Sequence, residues 1–149
     1  MTPAGTGIRR ATADDAPAVA DVWLAAFGAT YEFPAAHSDE DVRDWVRETL
    51  LPSTETWVAD EDGSVVGIMS LTPGWVEQLY VLPEASGGGI GSRFIEHAKD
   101  RQPDGLQLWT FAVNAGARRF YERHGFVVAE LTDGAGNEER QPDVRYTWR

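Results

Sequence analysis

The sequence predicts an α/β fold in which helices pack on a mixed β-sheet within a single domain covering residues 1–149. Three observations support this prediction. The length of 149 residues suits one core, strand-like runs recur along the chain, and about four helical patterns interrupt them. The hydrophobic share of 42%, with six Trp, six Phe and four Tyr, supplies enough apolar surface for the chain to fold alone.

The individual elements follow from local signals. Thr12 and Asp14 are candidate caps of a first helix, and Ser38 caps a second helix that Pro52 is expected to end. Gly63 closes an acidic turn between two strands and indicates a hairpin. Two further helices are predicted at 92–101 and 115–124. The predicted strands are 8–10, 56–59, 65–71, 75–81, 106–111, 126–131 and 144–148.

Composition excludes several classes of function. The chain has no cysteine, which removes disulfides, thiolate metal sites and cysteine nucleophiles. Thirteen basic and 24 acidic residues give a formal charge of −11, which disfavours nucleic acids and anionic membranes as partners. No run approaches the roughly 20 apolar residues of a membrane span, and no targeting segment is recognisable. We therefore expect a cytoplasmic protein that needs no nucleic acid and no membrane.

A glycine-rich loop is the strongest local signal. The strand 75–81 leads into Gly87–Gly91 and then into a helix, which is a geometry that binds phosphate through backbone N–H groups and the helix dipole. The alternative is a tight turn without a ligand. A P-loop is disfavoured because Arg93 follows Ser92 and the only lysine is Lys99. A dinucleotide fingerprint is disfavoured because its third glycine is missing.

Two runs of residues resemble one known family. The first is Leu79–Pro83 followed by Gly87–Gly91 with Ser92, and the second extends from Asn114 to Phe126. In this order and spacing they are similar to the coenzyme-A signature and the downstream motif of the GNAT superfamily of N-acetyltransferases. The resemblance covers almost the whole chain. It implies a mostly antiparallel central sheet of six to seven strands flanked by about four helices, and it makes homodimerisation a further expectation.

The resemblance also implies a reaction and its residues. The expected activity is direct transfer of an acetyl group from acetyl-coenzyme A, as co-substrate, to the primary amine of a small molecule or peptide, without a metal. Tyr121 is implied as the general acid at the coenzyme sulfur. The family usually has Gln or Arg at Ser86, so phosphate contacts are expected to depend more on the backbone. The implied cofactor-binding residues are Leu79, Tyr80, Val81, Ser86, Gly87, Gly88, Gly89, Ile90, Gly91, Ser92, Asn114, Ala117, Phe120 and Tyr121.

Reasoning from the residues adds a base and an alternative for the acid. Strand alternation places Glu77 in an apolar row with Leu79, where desolvation would raise its pKa and make it a general base; an exposed structural Glu77 is the alternative. On one continuous helix Asn114, Ala117 and Tyr121 would share a face. Tyr121 is alternatively a core aromatic, although its neighbour Phe120 is the expected core anchor.

The remaining aromatic, histidine and acidic residues have weaker interpretations. His37, His97 and His124 lack metal-ligand spacing and are expected at the surface or as caps. The acidic residues of the 132–143 loop either attract an amine or are solvated. Aromatic residues on the first two helices are expected in the core, with one or two walling the acceptor pocket: Trp23, Phe27, Tyr31 and Trp45.

Three classes of function remain after these arguments. The first is a GNAT-type N-acetyltransferase. The second is a non-catalytic domain that binds or senses acyl-coenzyme A, and the third is a fragment of a nucleotide-binding oxidoreductase. Release of free thiol from acetyl-coenzyme A in the presence of an amine separates the first class from the other two.

Overall fold

A computed structural model describes residues 6–149, and its strands form one sheet. Within this range the strands are β1 (Thr6–Arg10), β2 (Glu55–Glu61), β3 (Ser64–Thr72), β4 (Trp75–Val81), β5 (Leu106–Phe111), β6 (Val127–Leu131) and β7 (Asp143–Trp148). Their order is β1-β2-β3-β4-β5-β7-β6. Only the β4–β5 pair is parallel. The predicted mixed, mostly antiparallel sheet is confirmed.

Helices cover both faces of this sheet. They are α1 (Ala16–Thr30), α2 (Asp39–Trp45), α3 (Leu51–Ser53), α4 (Ile90–Arg101) and α5 (Ala115–Arg123). A π-helical turn, Val46–Leu50, joins α2 to α3, so residues 6–149 contain four helical segments, as predicted, besides short 3-10 turns at Ala13–Asp15 and Pro83–Ala85. The helix expected to end at Pro52 continues to Ser53, because proline is tolerated in the first turn of α3.

Local side-chain contacts fix the helix starts. The Ser38 hydroxyl accepts a hydrogen bond from the Asp41 N–H at 3.1 Å, which confirms the predicted cap of α2. At the first helical turn the capping carboxylate is Asp15 rather than Asp14, since Asp15 accepts from the Thr12 N–H at 2.7 Å. The guanidinium of Arg9 also binds Asp15 and lowers its pKa to about 2. In the predicted hairpin, Asp62 and Gly63 both have positive φ, 52° and 91°.

The two faces of the sheet carry separate apolar clusters. One cluster packs under α4 and α5, with Phe94, Ile95, Phe126 and Tyr146 almost fully buried. The other packs under α1 and α2, with Val19, Val22, Val46 and Ile68 almost fully buried. No helix within residues 6–149 is both long and apolar enough to cross a membrane.

A β-bulge changes the alternation that the sequence predicts for β4. Ser70 pairs with Gln78 and Leu71 pairs with Val76, so Glu77 is an extra residue without a partner on β3. As a result Val76 shares a face with Leu79 and packs in the cluster under α4. The predicted face containing Glu77 and Leu79 together, opposite Val76, is therefore wrong.

Candidate active site

The sheet opens between β4 and β5. These parallel strands pair at one position, Trp75 with Gln107. Beyond that pair β4 continues beside β3 while β5 pairs with β7, so the two strands diverge. The bulge at Glu77 lies where the opening begins and bends β4. The divergence exposes strand backbone and side chains that a continuous sheet would cover.

Two cavities meet at this opening. The first, of about 540 Å3, lies between α1, β4, β5 and α5 and is called the central cavity below. The second, of about 400 Å3, follows the glycine-rich loop and α5 and is called the glycine groove. The residues that line both cavities are Leu79, Val81, Ser86, Ala117, Phe120 and Tyr121. The two cavities therefore form one continuous cleft.

Nearly all predicted site residues line this cleft. Those confined to the central cavity are Glu77, Tyr80 and Asn114. Those confined to the glycine groove are Gly87, Gly89, Ile90, Gly91 and Ser92. Gly88 lines neither cavity, and a Cβ there would lie at an ordinary 3.6 Å from the Ala85 carbonyl oxygen. A contact between Gly88 and a cofactor stays a prediction.

The glycine groove ends at the start of α4. Gly87 and Gly89 both have φ of 85°, a left-handed backbone that favours glycine. Gly89 is the N-cap and has no side chain to accept hydrogen bonds from the first N–H groups of the helix, which also lack intrahelical acceptors. A Cβ on Gly91 would come within 3.1 Å of the Phe120 ring, so this glycine allows α4 and α5 to approach.

Two serine hydroxyls in the groove already have partners. Ser86 Oγ donates to the Pro83 carbonyl oxygen at 2.7 Å. Ser92 Oγ lies 2.9 Å from His124 Nε2, so the hydroxyl expected to face a phosphate is held by a histidine. His124 itself is half-buried beside Phe120, with ring centroids 4.7 Å apart. The backbone of the loop, rather than these hydroxyls, offers the free donors of the groove.

Tyr121 lies at the junction of the two cavities. It is 7% exposed, whereas Phe120 is half-buried, so Tyr121 and not Phe120 is the deeper core residue of the pair. Burial, with a smaller contribution from nearby Tyr31, raises the pKa of the Tyr121 phenol above its usual value. The phenol therefore keeps its proton near neutral pH and is available as a proton donor.

Asn114 connects α5 to the end of α1. It is the N-cap of α5 rather than part of one continuous helix with Tyr121, and its Oδ1 accepts from the Ala117 N–H at 3.0 Å. Its Nδ2 donates to the Tyr31 hydroxyl, also at 3.0 Å. Burial raises the pKa of that phenol too. Tyr31 lines the central cavity, as expected for one of the early aromatic residues.

Glu77 occupies a different environment from the one predicted. The bulge turns it out of the apolar row, and its side chain is exposed where it lines the central cavity. The Thr72 hydroxyl donates to Glu77 Oε1 at 2.7 Å. The expected desolvation of Glu77 is therefore wrong, because a bulged residue at the mouth of a cavity remains in contact with water.

Comparison with known proteins identifies the family. A family model described as an acetyltransferase (GNAT) domain matches residues 52–128. The peptidyl-lysine N-acetyltransferase YiaC of Escherichia coli is 30% identical over 135 residues, 90% of this chain and 90% of the relative. The peptidyl-lysine N-acetyltransferase YjaB of the same bacterium is 31% identical over 122 residues, 81% of this chain and 82% of the relative. The chain belongs to the GNAT superfamily.

Solved GNAT structures share this architecture. The solution structure of apo YjaB from Escherichia coli superposes with a TM-score of 0.80 at 26% identity, covering 96% of this chain and 97% of that one. PaiA N-acetyltransferase of Thermoplasma acidophilum, solved with coenzyme A, gives a TM-score of 0.73 at 21% identity, covering 97% and 98%. This second likeness concerns the fold. Since the family and its curated relatives are acetyltransferases, the chain is an N-acetyltransferase.

The end of the cleft beside the loop 132–142 is closed by contacts between distant segments. Glu139 Oε2 accepts from the Ala36 N–H at 3.2 Å, and His37 pairs with Glu138. These contacts hold the loop 132–142 against the segment between α1 and α2. The sequence did not decide whether the acidic residues of this loop attract an amine or are solvated. In the structure Glu139 lines the central cavity.

Arg123 is a residue of the cleft to which sequence reasoning gave no role. It is exposed on the last turn of α5 and lines the glycine groove. Its position in the second motif could have indicated a role, but that motif contains several arginines and the sequence alone does not distinguish them.

Among residues 6–149, no three His, Cys, Asp or Glu side chains could together hold a metal ion.

His97 is the histidine for which the surface expectation is wrong. Its ring lies 4.2 Å from that of Trp57, centroid to centroid, and it is half-buried between α4 and β2. Burial, together with the nearby charge of Arg101, lowers its pKa, so the ring is neutral. It lines neither cavity of the cleft and packs the helix on the sheet.

Proposed function

We propose that this chain transfers the acetyl group of acetyl-coenzyme A to the primary amine of a lysine side chain, by direct attack in a ternary complex. The observation that carries the proposal is the meeting of two unlike cavities at Tyr121. One cavity begins at the positive end of a helix, and the other is acidic. The names of the curated relatives support peptidyl lysine as the acceptor. We also infer that residues 1–149 act as one N-acetyltransferase domain.

The glycine groove fits a diphosphate followed by a narrow arm. The N–H groups at the start of α4, next to Gly87 and Gly89, would hold the phosphates. Ala117 and the apolar side chains of Leu79 and Val81 leave a channel from there to the central cavity. When bound, acetyl-coenzyme A supplies the activated acetyl group. The strand backbone of β4 is free on its β5 side to bind amides, because the two strands diverge.

The central cavity fits a cationic acceptor. Its lining contains three carboxylates, Glu77, Glu139 and Asp143, and no lysine or arginine among the described residues. A lysine amine is therefore attracted, but fewer than about one molecule in a thousand is neutral at pH 7. Glu77 is our candidate to remove the amine proton, directly or through water, as the nitrogen attacks the thioester carbon.

Tyr121 would complete the transfer as a general acid. When the carbon–sulfur bond breaks, the electron pair goes to sulfur, and the Tyr121 phenol donates its proton to that thiolate. The raised pKa keeps the buried phenol protonated but also makes it a weaker acid than a thiol, so the proton moves to sulfur as the carbon–sulfur bond breaks. Solvent then returns a proton to Tyr121 after the products leave.

A thiol-release assay tests this proposal. Acetyl-coenzyme A and a lysine peptide should give free thiol in proportion to acetyl-lysine. Tyr121→Phe should lower kcat about a hundredfold with a small change in stability, because only the hydroxyl is lost. Tyr146→Phe is the control: Tyr146 is also buried and lines neither cavity, so loss of its hydroxyl, which bonds to Arg118 and Glu122 of α5, should lower stability but leave kcat near the wild-type value.

The possible failures of this assay are distinct. If acetyl-coenzyme A bound but no amine caused release of its thiol, that outcome would contradict the proposed reaction and favour a binding or sensing domain. Equal kcat for Tyr121→Phe and the wild type would remove Tyr121 from the mechanism while leaving the activity in place.

A further inference from the structure

A third cavity of about 810 Å3 adjoins the acceptor side of the cleft. It lies between α2 and the loop 132–142, has walls of Trp23, Trp45 and Trp109, and is called the tryptophan groove below. The residues that it shares with the central cavity are Gln78, Trp109, Asn137 and Glu139. A molecule whose amine enters the central cavity therefore has this groove directly beside it.

Two of the three aromatic walls of the groove, Trp23 and Trp45, are held in place by contacts. Trp23 Nε1 donates to Gln78 Oε1 at 3.1 Å, and the Trp23 and Trp45 rings meet edge to face, 6.3 Å between centroids. Trp109 is 42% exposed, and no aromatic ring of residues 6–149 packs against it. Trp23 packs against the apolar cluster under α1 and α2, whereas Trp109 lies exposed in the wall that the central cavity and the groove share.

Most ionisable groups around the groove are acidic. Among the residues that the structure describes, its lining contains the carboxylates of Asp41, Glu138 and Glu139, one histidine, His37, and no lysine or arginine. Glu138 is paired with His37. Asp41 and Glu139 form no ion pair with any other residue in 6–149. Indole faces attract cations, and carboxylates beside them strengthen that attraction.

We propose that the tryptophan groove binds a second cationic side chain of the acceptor, an arginine or lysine within about three residues of the lysine that is acetylated. We limit this separation to about three residues because the two cavities share a wall and an extended chain advances only about 3.3 Å per residue. This inference depends on the proposed function for its acceptor. It adds that the preferred acceptor is a lysine with a cationic neighbour, rather than any exposed lysine.

A set of peptides tests the groove. Each peptide carries one lysine and, at one position from three before to three after it, either arginine or the neutral isostere citrulline. At one or two positions arginine should lower KM about tenfold relative to citrulline while kcat stays the same, since the contact is made equally before and during the reaction. Equal KM values at every position would overturn the inference.

A matched pair of variants assigns the effect to this groove. Asp41→Asn should reduce the preference for arginine about threefold, whereas Asp39→Asn should leave it unchanged. Both aspartates are exposed in the first turn of α2, so both variants change the charge and the helix dipole equally. Only Asp41 lines the groove. An equal loss in the two variants would mean a general field effect and would also overturn the inference.

Binding measured by calorimetry separates failure of the inference from failure of the proposed function. Absence of thiol release with every lysine peptide would contradict the proposed reaction. The dissociation constants of the arginine and citrulline peptides still differ about tenfold if the groove binds a cation, and equal constants reject the groove in either case.

Discussion

The glycine groove and the acceptor side differ in how the chain builds them. The glycine groove comes from one strand–loop–helix unit and α5, and its main features are backbone N–H groups and small residues. The acceptor side is held by contacts between residues about 100 positions apart, such as Ala36 with Glu139. A site made of local backbone geometry leaves a sequence signature, whereas a site made by distant loops leaves none.

The largest effect that tests this comparison is expected at Gly134 in the acceptor loop. Gly134 has φ of 87°, and a Cβ there would overlap the backbone of Gln141. Gly134→Ala should displace the loop and lower kcat/KM for a lysine peptide about thirtyfold, which is roughly 2 kcal/mol of strain and lost contacts. Binding of coenzyme A, measured by calorimetry, should change less than twofold.

Gly63→Ala is the control for Gly134→Ala. Gly63 also has a left-handed backbone, with φ of 91°, but open space surrounds its Cβ position. Gly63→Ala should therefore lower the free energy of unfolding by roughly 1 kcal/mol, because alanine is disfavoured in a left-handed backbone, without moving the acceptor side. If Gly134→Ala weakened the binding of coenzyme A by as large a factor as it lowered kcat/KM for the lysine peptide, the two regions would not be independent.

Patterns within short windows predicted the strands, the helices and the glycine-rich loop, while the family resemblance implied the mostly antiparallel sheet. Strands, caps and the Gly87–Gly91 loop each carry a local signal. The environment of Glu77 could not be predicted, since a bulge depends on how β3 and β4 pair and shifts every later side chain by one position. The exposure of Trp109 in a cavity wall was also missed, because it depends on where α2 and the loop 132–142 pack.

A smaller effect is expected at Arg123 in the glycine groove. Arg123→Gln should raise the dissociation constant of coenzyme A about fivefold, and the difference should shrink at high salt, because an exposed cation attracts phosphate through a screened interaction. Arg119→Gln, on the same helix but outside both cavities, should change it less than twofold. Equal effects would show that net charge rather than position attracts the coenzyme.

The smallest mutational effect is expected at Glu77 on the acceptor side, and its pH dependence is compared with that of Tyr121 at the junction of the two cavities. Burial raises the pKa of Tyr121, so its donor form persists as pH rises, and the kcat/KM deficit of Tyr121→Phe should stay constant from pH 7 to 10. Glu77→Gln should show about a threefold deficit at pH 7 that disappears near pH 10, where much of the lysine is already neutral. Glu96→Gln, exposed and outside the cleft, controls for the lost charge. A Glu77→Gln deficit that persisted at pH 10 would indicate that Glu77 positions the acceptor instead of removing its proton.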